Sequence, residues 1–303
     1  MTYDVLVEGI ISTDVIFSSI PKMPNPGEEV YCGSFEFTCG AAYNTAVALS
    51  RLGLKVAVIG PIGNDFLSQF MKESLEAEGV STSLMLKVDQ PLRCLSVCIN
   101  YGGDRSFLSF QDSVEKLNLA DYACSVIEKT EAKVLHTSAG RGNKGVIETA
   151  KTKGMLISLD VGWDEEWLQD DQLSELLKMA DIFTPNQKEA ETITGIINPY
   201  EAIEKLGKHN TSVVIKLGEH GALMRRNHII KKIAGYQCEA IDTTGAGDVF
   251  SAGLLAGILK GWSLEDSVKL GNYCGSCSVQ SLGGATSSPS WQQVQKDFLE
   301  PIK

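Results

Sequence analysis

Several things are scarce in this 303-residue chain, and each scarcity removes a class of protein. No apolar run reaches the roughly 18 residues that a membrane-spanning helix needs, so no membrane segment is expected. Basic residues are few. The 27 Lys and Arg stand against 38 Asp and Glu, a net charge of −11, and the Arg225-Arg226 cluster is too short to make a face for nucleic acid. Histidine occurs only at 136, 209, 220 and 228, without metal-ligand spacing, so no catalytic role is assigned to it. The opening Met1-Thr2-Tyr3-Asp4-Val5-Leu6 lacks the basic residues that precede the apolar core of a secretion signal, and a cytoplasmic protein is the expectation. Internal repeats, low-complexity tracts and linkers are absent as well, which excludes fibres, solenoids and disordered chains.

What is present is an ordinary globular composition, 43% hydrophobic and 21% charged, enough to bury a sizeable core. The length suits one large α/β unit, residues 1–303, better than two domains. Eight cysteines are scattered, and in a reducing compartment they read as thiols. Cys274 and Cys277 have one metal-like spacing but no second pair nearby, so both read as small apolar residues of a buried helix.

Strand and helix signals alternate. Strands are expected at Val5–Gly9, Lys55–Ile59, Val134–Thr137, Met155–Leu159, Asp181–Phe183 and Val213–Leu217, and helices at Ala42–Leu52 and Phe66–Ala77. That rhythm predicts an α/β protein with a central, mostly parallel sheet flanked by helices. Two regions break it, at about 15–38 and 84–110. The second contains a hairpin signal, with Leu92–Asn100 and Ser106–Phe110 on either side of Gly102-Gly103-Asp104. Together they read as a small antiparallel β lid over a ligand crevice, or as a structural β-extension or oligomer contact.

The segment Asp242-Thr243-Thr244-Gly245-Ala246-Gly247-Asp248 carries the most chemistry. Gly245, Ala246 and Gly247 let ligand atoms approach the backbone, and Val249 to Lys260 reads as a helix. Small residues at a helix start present unpaired N–H groups and the positive end of the dipole to an anion. Asp248 at that spot can accept a proton from a substrate hydroxyl while the N–H groups hold phosphoryl charge. Alone it would be an ordinary helix-start acid. The segment is neither the G-x-G-x-x-G fingerprint nor the GxxxxGK[ST] loop, which disfavours a dehydrogenase and a P-loop enzyme.

Residues Asp242 to Gly253 closely resemble the second signature of the PfkB family of ribokinase-like carbohydrate kinases, and Cys39-Gly40-Ala41-Ala42-Tyr43-Asn44 to Leu52-Gly53 resembles its first, with Cys39 where a glycine is usual. The resemblance spans nearly the whole chain in order, through Asp14, Gly60-Pro61-Ile62-Gly63-Asn64-Asp65, Asn186-Gln187-Lys188-Glu189, Lys216-Leu217-Gly218 and Gly284-Ala285. It implies the ribokinase-like fold and an ATP-dependent kinase acting on a hydroxyl of a sugar-like substrate, with Asp248 as base and Gly245, Ala246 and Gly247 as anion hole. It implies acceptor binding by Asp14, which follows the first strand and is expected at its C-terminal end, facing the crevice, and by Gly40 and Asn44. It implies nucleotide contacts from Asn186, Lys216, Gly218 and Asn272, and Mg²⁺ held through water by Glu189. Asp242, Thr244, Gly284 and Ser288 fall where some relatives bind K⁺. Arg105 either reaches an anionic group of substrate or ATP or is an exposed turn residue. Asn64 or Asp65 is expected to cap the following helix.

The acceptor stays open. The first signature lacks the Lys that ribokinases and sugar-phosphate kinases often carry, which points to an unphosphorylated substrate other than ribose. A nucleoside kinase, with Tyr43 or Phe17 stacking on the base, and a non-catalytic sugar- or nucleotide-binding regulator are the other readings. A homodimer through the lid is allowed by Val97, Ile99 and Phe107, which can equally face the substrate.

Overall fold

The computed structural model describes residues 2–102, 104–209 and 212–299. The chain opens with β1 (Thr2–Glu8), β2 (Ile11–Ser18), β3 (Ser34–Ala41) and α1 (Ala42–Arg51), then β4 (Val56–Ile59), β5 (Pro61–Ile62) and α2 (Phe66–Ala77). Next come β6 (Leu86–Lys87), β7 (Cys94–Tyr101), β8 (Asp104–Gln111), α3 (Leu119–Glu128), β9 (Glu131–Ser138), α4 (Lys144–Thr152) and β10 (Leu156–Asp160). The second half runs α5 (Glu165–Leu168), α6 (Asp171–Leu177), β11 (Ile182–Phe183), α7 (Gln187–Thr194), α8 (Pro199–Leu206), β12 (Ser212–Lys216), β13 (Ala222–Arg226) and β14 (Ile229–Ile233). It closes with α9 (Ala246–Leu259), α10 (Leu264–Ser278) and α11 (Trp291–Val294).

An eight-stranded sheet in the order β14-β13-β12-β11-β10-β9-β1-β4 forms the centre, parallel from β12 to β4 and closed by the antiparallel strands β13 and β14. Successive side chains leave a strand on opposite faces. Val5, Val7, Val56, Val58 and Val214 therefore pack under α1, α9 and α10. Leu6, Ala57, Leu135, Ile157 and Ile215 pack under α3, α4 and α8 on the other face. Buried on both sides, the strands are almost continuously apolar until their C-terminal ends, where polar residues appear together: Glu8, Thr137, Asp160 and Lys216.

The order of strands reverses at β1, which has β4 on one side and β9 on the other. In open α/β sheets the crevice forms outside the C-terminal ends of the strands at such a reversal. The turn from Gly60 to Asp65 ends as expected on a cap: Asp65 accepts from the N–H groups of Leu67 and Ser68 at 3.0 and 3.1 Å.

The lid is a four-stranded sheet, β3-β2-β7-β8. It starts earlier than residue 15, because β2 begins two residues after Gly9. Residues 86–87 do not join it, since β6 pairs with β5. Both hairpins are antiparallel, but β2 and β7 run parallel, because α1, β4 and α2 intervene and return the chain in the same direction. Gly103 of the expected turn lies outside the described residues. Among the described residues no helix is long and apolar enough to cross a membrane. Cys274 is buried within α10, where burial holds its thiol well above the usual range, and no cysteine among the described residues is bonded to another.

Candidate active site

A cavity of about 1230 Å³ opens over the C-terminal ends of the parallel strands. The expected anion-hole segment takes its shape because Gly245, at φ +68°, turns the chain into α9, which starts at Ala246 rather than Val249. Asp248 therefore sits inside the first turn, beside N–H groups for which the helix offers no carbonyl. Space suits only glycine at 245 and is tight at 247. A Cβ at Gly245 would lie 2.6 Å from both Asn44 Nδ2 and Gly284 Cα, and one at Gly247 would lie 3.0 Å from Lys216 Nζ. Gly245, Ala246, Gly247 and Asp248 all line the cavity.

Asn44, in the first turn of α1, donates through Nδ2 to Asp248 Oδ2 at 3.0 Å. Its Oδ1 and the hydroxyl of Thr244 are buried without a protein partner. Ala41 before it holds φ +56°, a strained value for a residue with a Cβ, and lines the cavity. Burial raises the Asp248 carboxyl to about 6 even though Asn44 and Lys216 favour its charged form.

On the other flank, Asn186 caps α7 by accepting from the Glu189 N–H at 2.9 Å, while Glu189 Oε2 accepts from the Asn186 N–H at 2.7 Å. This reciprocal cap is the plain helix-start reading of the motif, and it also aims both side chains at the cavity they line. Burial raises the Glu189 carboxyl to about 7, with Lys216 opposing the shift. Lys216 ends β12, and its ammonium pairs with Asp160 Oδ2 at 2.8 Å. Burial would pull that ammonium down, but Asp160, Glu189 and Asp248 together hold it above its ordinary value. Ser251 adds a 3.2 Å bond to the same Asp160 oxygen. His136, at the end of β9, bonds Ser158 Oγ at 3.0 Å, and burial pushes its ring down to about 4, so it is neutral near pH 7.

Some expected positions differ. Asp14 does not end a strand facing the crevice. It is the fourth residue of β2, buried in the lid sheet, because the chain leaves the central sheet at Gly9. There it accepts from Ser12 Oγ at 2.9 Å and presses on Gly40, where a Cβ would meet its Oδ2. Asp14, Gly40 and Asn44 stand one step back from the cavity lining. Tyr43 is part of the core and cannot stack on a base, and Phe17 packs on Phe35 at 5.6 Å between ring centres. Asn272 lines the cavity, but its amide nitrogen donates to the carbonyls of Ile233 and Ala234.

Of the cation set, Asp242 uses its two oxygens on the N–H groups of Thr244 and Gly283 at 2.9 and 3.0 Å. Ser288 Oγ accepts from Arg51, whose guanidinium also holds the carbonyls of Ala285, Thr286 and Ser288. Gly284 lies against Gly245 and Asn44. Arg105 comes from β8 to line the cavity and donates to Thr243 Oγ1, so the lid touches the loop that enters α9. Gly218 lines the cavity at φ +59° with open space where a Cβ would stand.

Sequence reasoning missed Glu8, Asp160 and Asn143, all cavity-lining. For the first two the signal was available: an acid closing an otherwise apolar strand. Asn143 carried none, since only the fold brings it to Glu8.

A glycine-led helix start, a buried carboxylate beside it and a capped Asn-Glu pair opposite share one crevice on an α/β sheet with a β lid. The model of the pfkB family carbohydrate kinases matches residues 4–291. The ribokinase of Haemophilus influenzae is 30% identical over 315 aligned positions that cover 97% of each chain. A nucleoside kinase of Methanothermobacter thermautotrophicus is 28% identical over 261 positions, 86% of this chain and 84% of that one. The structure of Arabidopsis thaliana ribokinase complexed with ribose and ATP superposes with a TM-score of 0.82 at 22% identity, covering 98% of both chains. The chain belongs to the PfkB family of carbohydrate kinases, and its fold is ribokinase-like. It is an ATP-using kinase of sugars or nucleosides.

Proposed function

We propose that the protein, as one unit of residues 1–303 with its β lid, transfers the γ-phosphoryl group of ATP to a hydroxyl of an unphosphorylated sugar. The carrying observation is the placement of Asp248: a cavity-lining carboxylate within the first turn of α9, oriented by Asn44 and flanked by the backbone N–H groups of Gly245 to Gly247, of which Ala246 reaches the Thr243 carbonyl only at 3.4 Å. The acceptor O–H gives its proton to Asp248 as its oxygen bonds to the γ-phosphorus, the bond to the β-phosphate oxygen breaks, and ADP leaves. The N–H groups and Lys216 Nζ stabilise charge on the transferring group. Arg105 reaches the acceptor where the lid meets the body, and Asp14, Gly40 and Asn44, one step behind the lining, bind it as the lid closes on it. Asn186, Lys216, Gly218 and Asn272 line the nucleotide half, Asn272 through its remaining amide oxygen. Lid closure excludes water and limits ATP hydrolysis.

Glu189 and Asn186 suit Mg²⁺ bound largely through water, since each is a cavity-lining oxygen donor already aimed by its cap. Held by these two residues, Mg²⁺ would supply charge neutralisation for the ATP phosphates. A K⁺ ion held at Asp242, Thr244, Gly284 and Ser288 would meet the orphaned Thr244 hydroxyl, although Arg51 already satisfies much of that loop. Turnover titrated with Mg²⁺, then with K⁺ against Na⁺ at constant ionic strength, tests both ions. Glu189→Gln is expected to raise the Mg²⁺ needed for half-maximal rate about tenfold, as loss of one charged ligand contact does, and K⁺ to stimulate at most about threefold because of Arg51. An unchanged Mg²⁺ requirement would remove Glu189 from the metal's neighbourhood.

Val97 and Ile99 are half-buried, whereas Phe35, Phe107 and Phe110 of the lid sheet are exposed. By strand register Phe35 and Phe110 share one face of the sheet with Val97, Ile99 and the exposed Leu108, whereas Phe107 points to the opposite face with Arg105; the first of these apolar faces fits a lid-to-lid homodimer. Sedimentation velocity at micromolar concentration is expected to give a dimer that Leu108→Glu dissociates, and a monomeric wild type would refute it.

The function itself is tested by ADP release with Mg-ATP across sugars, sugar acids, sugar phosphates and nucleosides, with Asp248→Asn in parallel. Turnover of neutral sugars lost in the variant supports the reading. Preference for nucleosides would select the nucleoside kinase, and ligand binding without turnover, unchanged in the variant, the regulator.

A further inference from the structure

The sheet places a second carboxylate in the crevice. Glu8 ends β1, the strand at which the sheet order reverses, and it lines the cavity. On that side the strand ends are those of β1 and β9, away from β11 and β12, which carry the capped Asn-Glu pair and Lys216. Glu8 thus stands in the half of the crevice next to the lid, which begins at Ile11, rather than in the nucleotide half.

Its surroundings are specific. Thr137 Oγ1 and Asn143 Nδ2 both donate to Oε2, the latter at 3.1 Å. Asn143 is itself held by Thr137 Oγ1 at 3.0 Å and by the Ser138 carbonyl at 2.9 Å. Among the described residues nothing donates to Oε1, and no cation pairs with Glu8. Asp160, two strands away, has Lys216 instead. A largely buried carboxylate held only by neutral donors is costly to the fold. Burial raises its pKa, with Thr137 and Asn143 opposing, which is the signature of that cost. The end of an apolar strand gains nothing from such a group unless a ligand completes it.

We infer that Glu8, aimed by Asn143 and Thr137, is a specificity-determining residue of the acceptor site, whose Oε1 accepts a hydrogen bond from a non-reacting hydroxyl of a neutral polyol. The inference rests on the kinase reading above and narrows its substrate class. An acceptor carrying phosphate or carboxylate at that end would meet like charge in a buried setting and be rejected.

The isosteric variant Glu8→Gln isolates the role. Its carbonyl can still accept from Thr137 and Asn143, but its NH₂ replaces an acceptor by a donor. Full-length wild type and Glu8→Gln are compared with D-ribose, D-fructose, adenosine and D-fructose 6-phosphate, and Mg-ATP binding is measured separately. For the neutral acceptor that wild type uses best, the variant should raise KM about 10- to 100-fold, the range carried by one hydrogen bond to a charged group. kcat and Mg-ATP affinity should stay within about threefold, and discrimination against D-fructose 6-phosphate should narrow. Asn143→Ala, which removes only the aiming amide, should raise the same KM by a smaller factor, and it serves if Glu8→Gln does not bind Mg-ATP. Acceptor KM within about twofold of wild type in a variant that still binds Mg-ATP would make Glu8 merely structural. A wild type that turns over none of the four acceptors removes the kinase reading and this one together, an outcome separate from an unchanged KM ratio.

Discussion

Asp248→Asn is expected to cut turnover by about 10³- to 10⁴-fold, the upper range for loss of a positioned base, while Mg-ATP still binds. The amide keeps the size of the carboxylate and can remain bonded to Asn44. The proposed nucleotide half, at Asn186 to Glu189 and Lys216, is untouched. Wild-type kcat/KM should fall below pH 6, because the base works only when unprotonated and burial raises its pKa to about 6. The variant should lose that acid limb along with its rate.

Stability should move the other way. Asp248 binds its proton more tightly folded than unfolded. Its ionised form therefore costs stability as pH rises through about 6, and the cost vanishes below about 4, where both states are protonated. Asp248→Asn should raise the melting temperature at pH 8 by a few degrees and by progressively less toward pH 4. Retained turnover would place the base elsewhere. A melting temperature that fell at pH 8 would contradict the buried-charge account.

Lys216→Met should be the most damaging change away from the base. Methionine matches the stem but leaves Asp160, Glu189 and Asp248 without their shared cation. Removing one partner of a buried pair typically costs about 3–5 kcal/mol, which denaturant unfolding would measure. The ammonium also lies beside Gly247, where it can meet phosphoryl charge, so kcat should drop about 10²-fold or more, as when a charge-stabilising donor is lost. The acid limb of the surviving activity should shift upward from pH 6, because Lys216 favours ionised Asp248. A variant with wild-type stability and an unmoved acid limb would show that Lys216 does not act on the carboxylate cluster.

The architecture was legible because its cues are local. Val5-Leu6-Val7 and Val213-Val214-Ile215 read as doubly buried strands whatever lies around them. Helix boundaries drifted by a residue or more where caps are unusual: α9 begins at Ala246, because a left-handed Gly245, not a side chain, starts it. Asp248, Gly245 and Asn186 were readable for the same reason, since each works through its own turn. Asp14 was misplaced because nothing local marks that β2 belongs to the lid rather than to the central sheet.

Linear order alone thus carried the sheet, the glycine-led start of α9 and the family, since periodicity and short motifs act over a few residues. Tertiary structure decided which groups share the crevice. The contacts Asn44 to Asp248, Lys216 to Asp160 and Asn143 to Glu8 join residues 204, 56 and 135 positions apart. Contacts so distant leave no pattern along the chain, because the parallel sheet, by stacking strand ends in an order unrelated to sequence, is what brings them together.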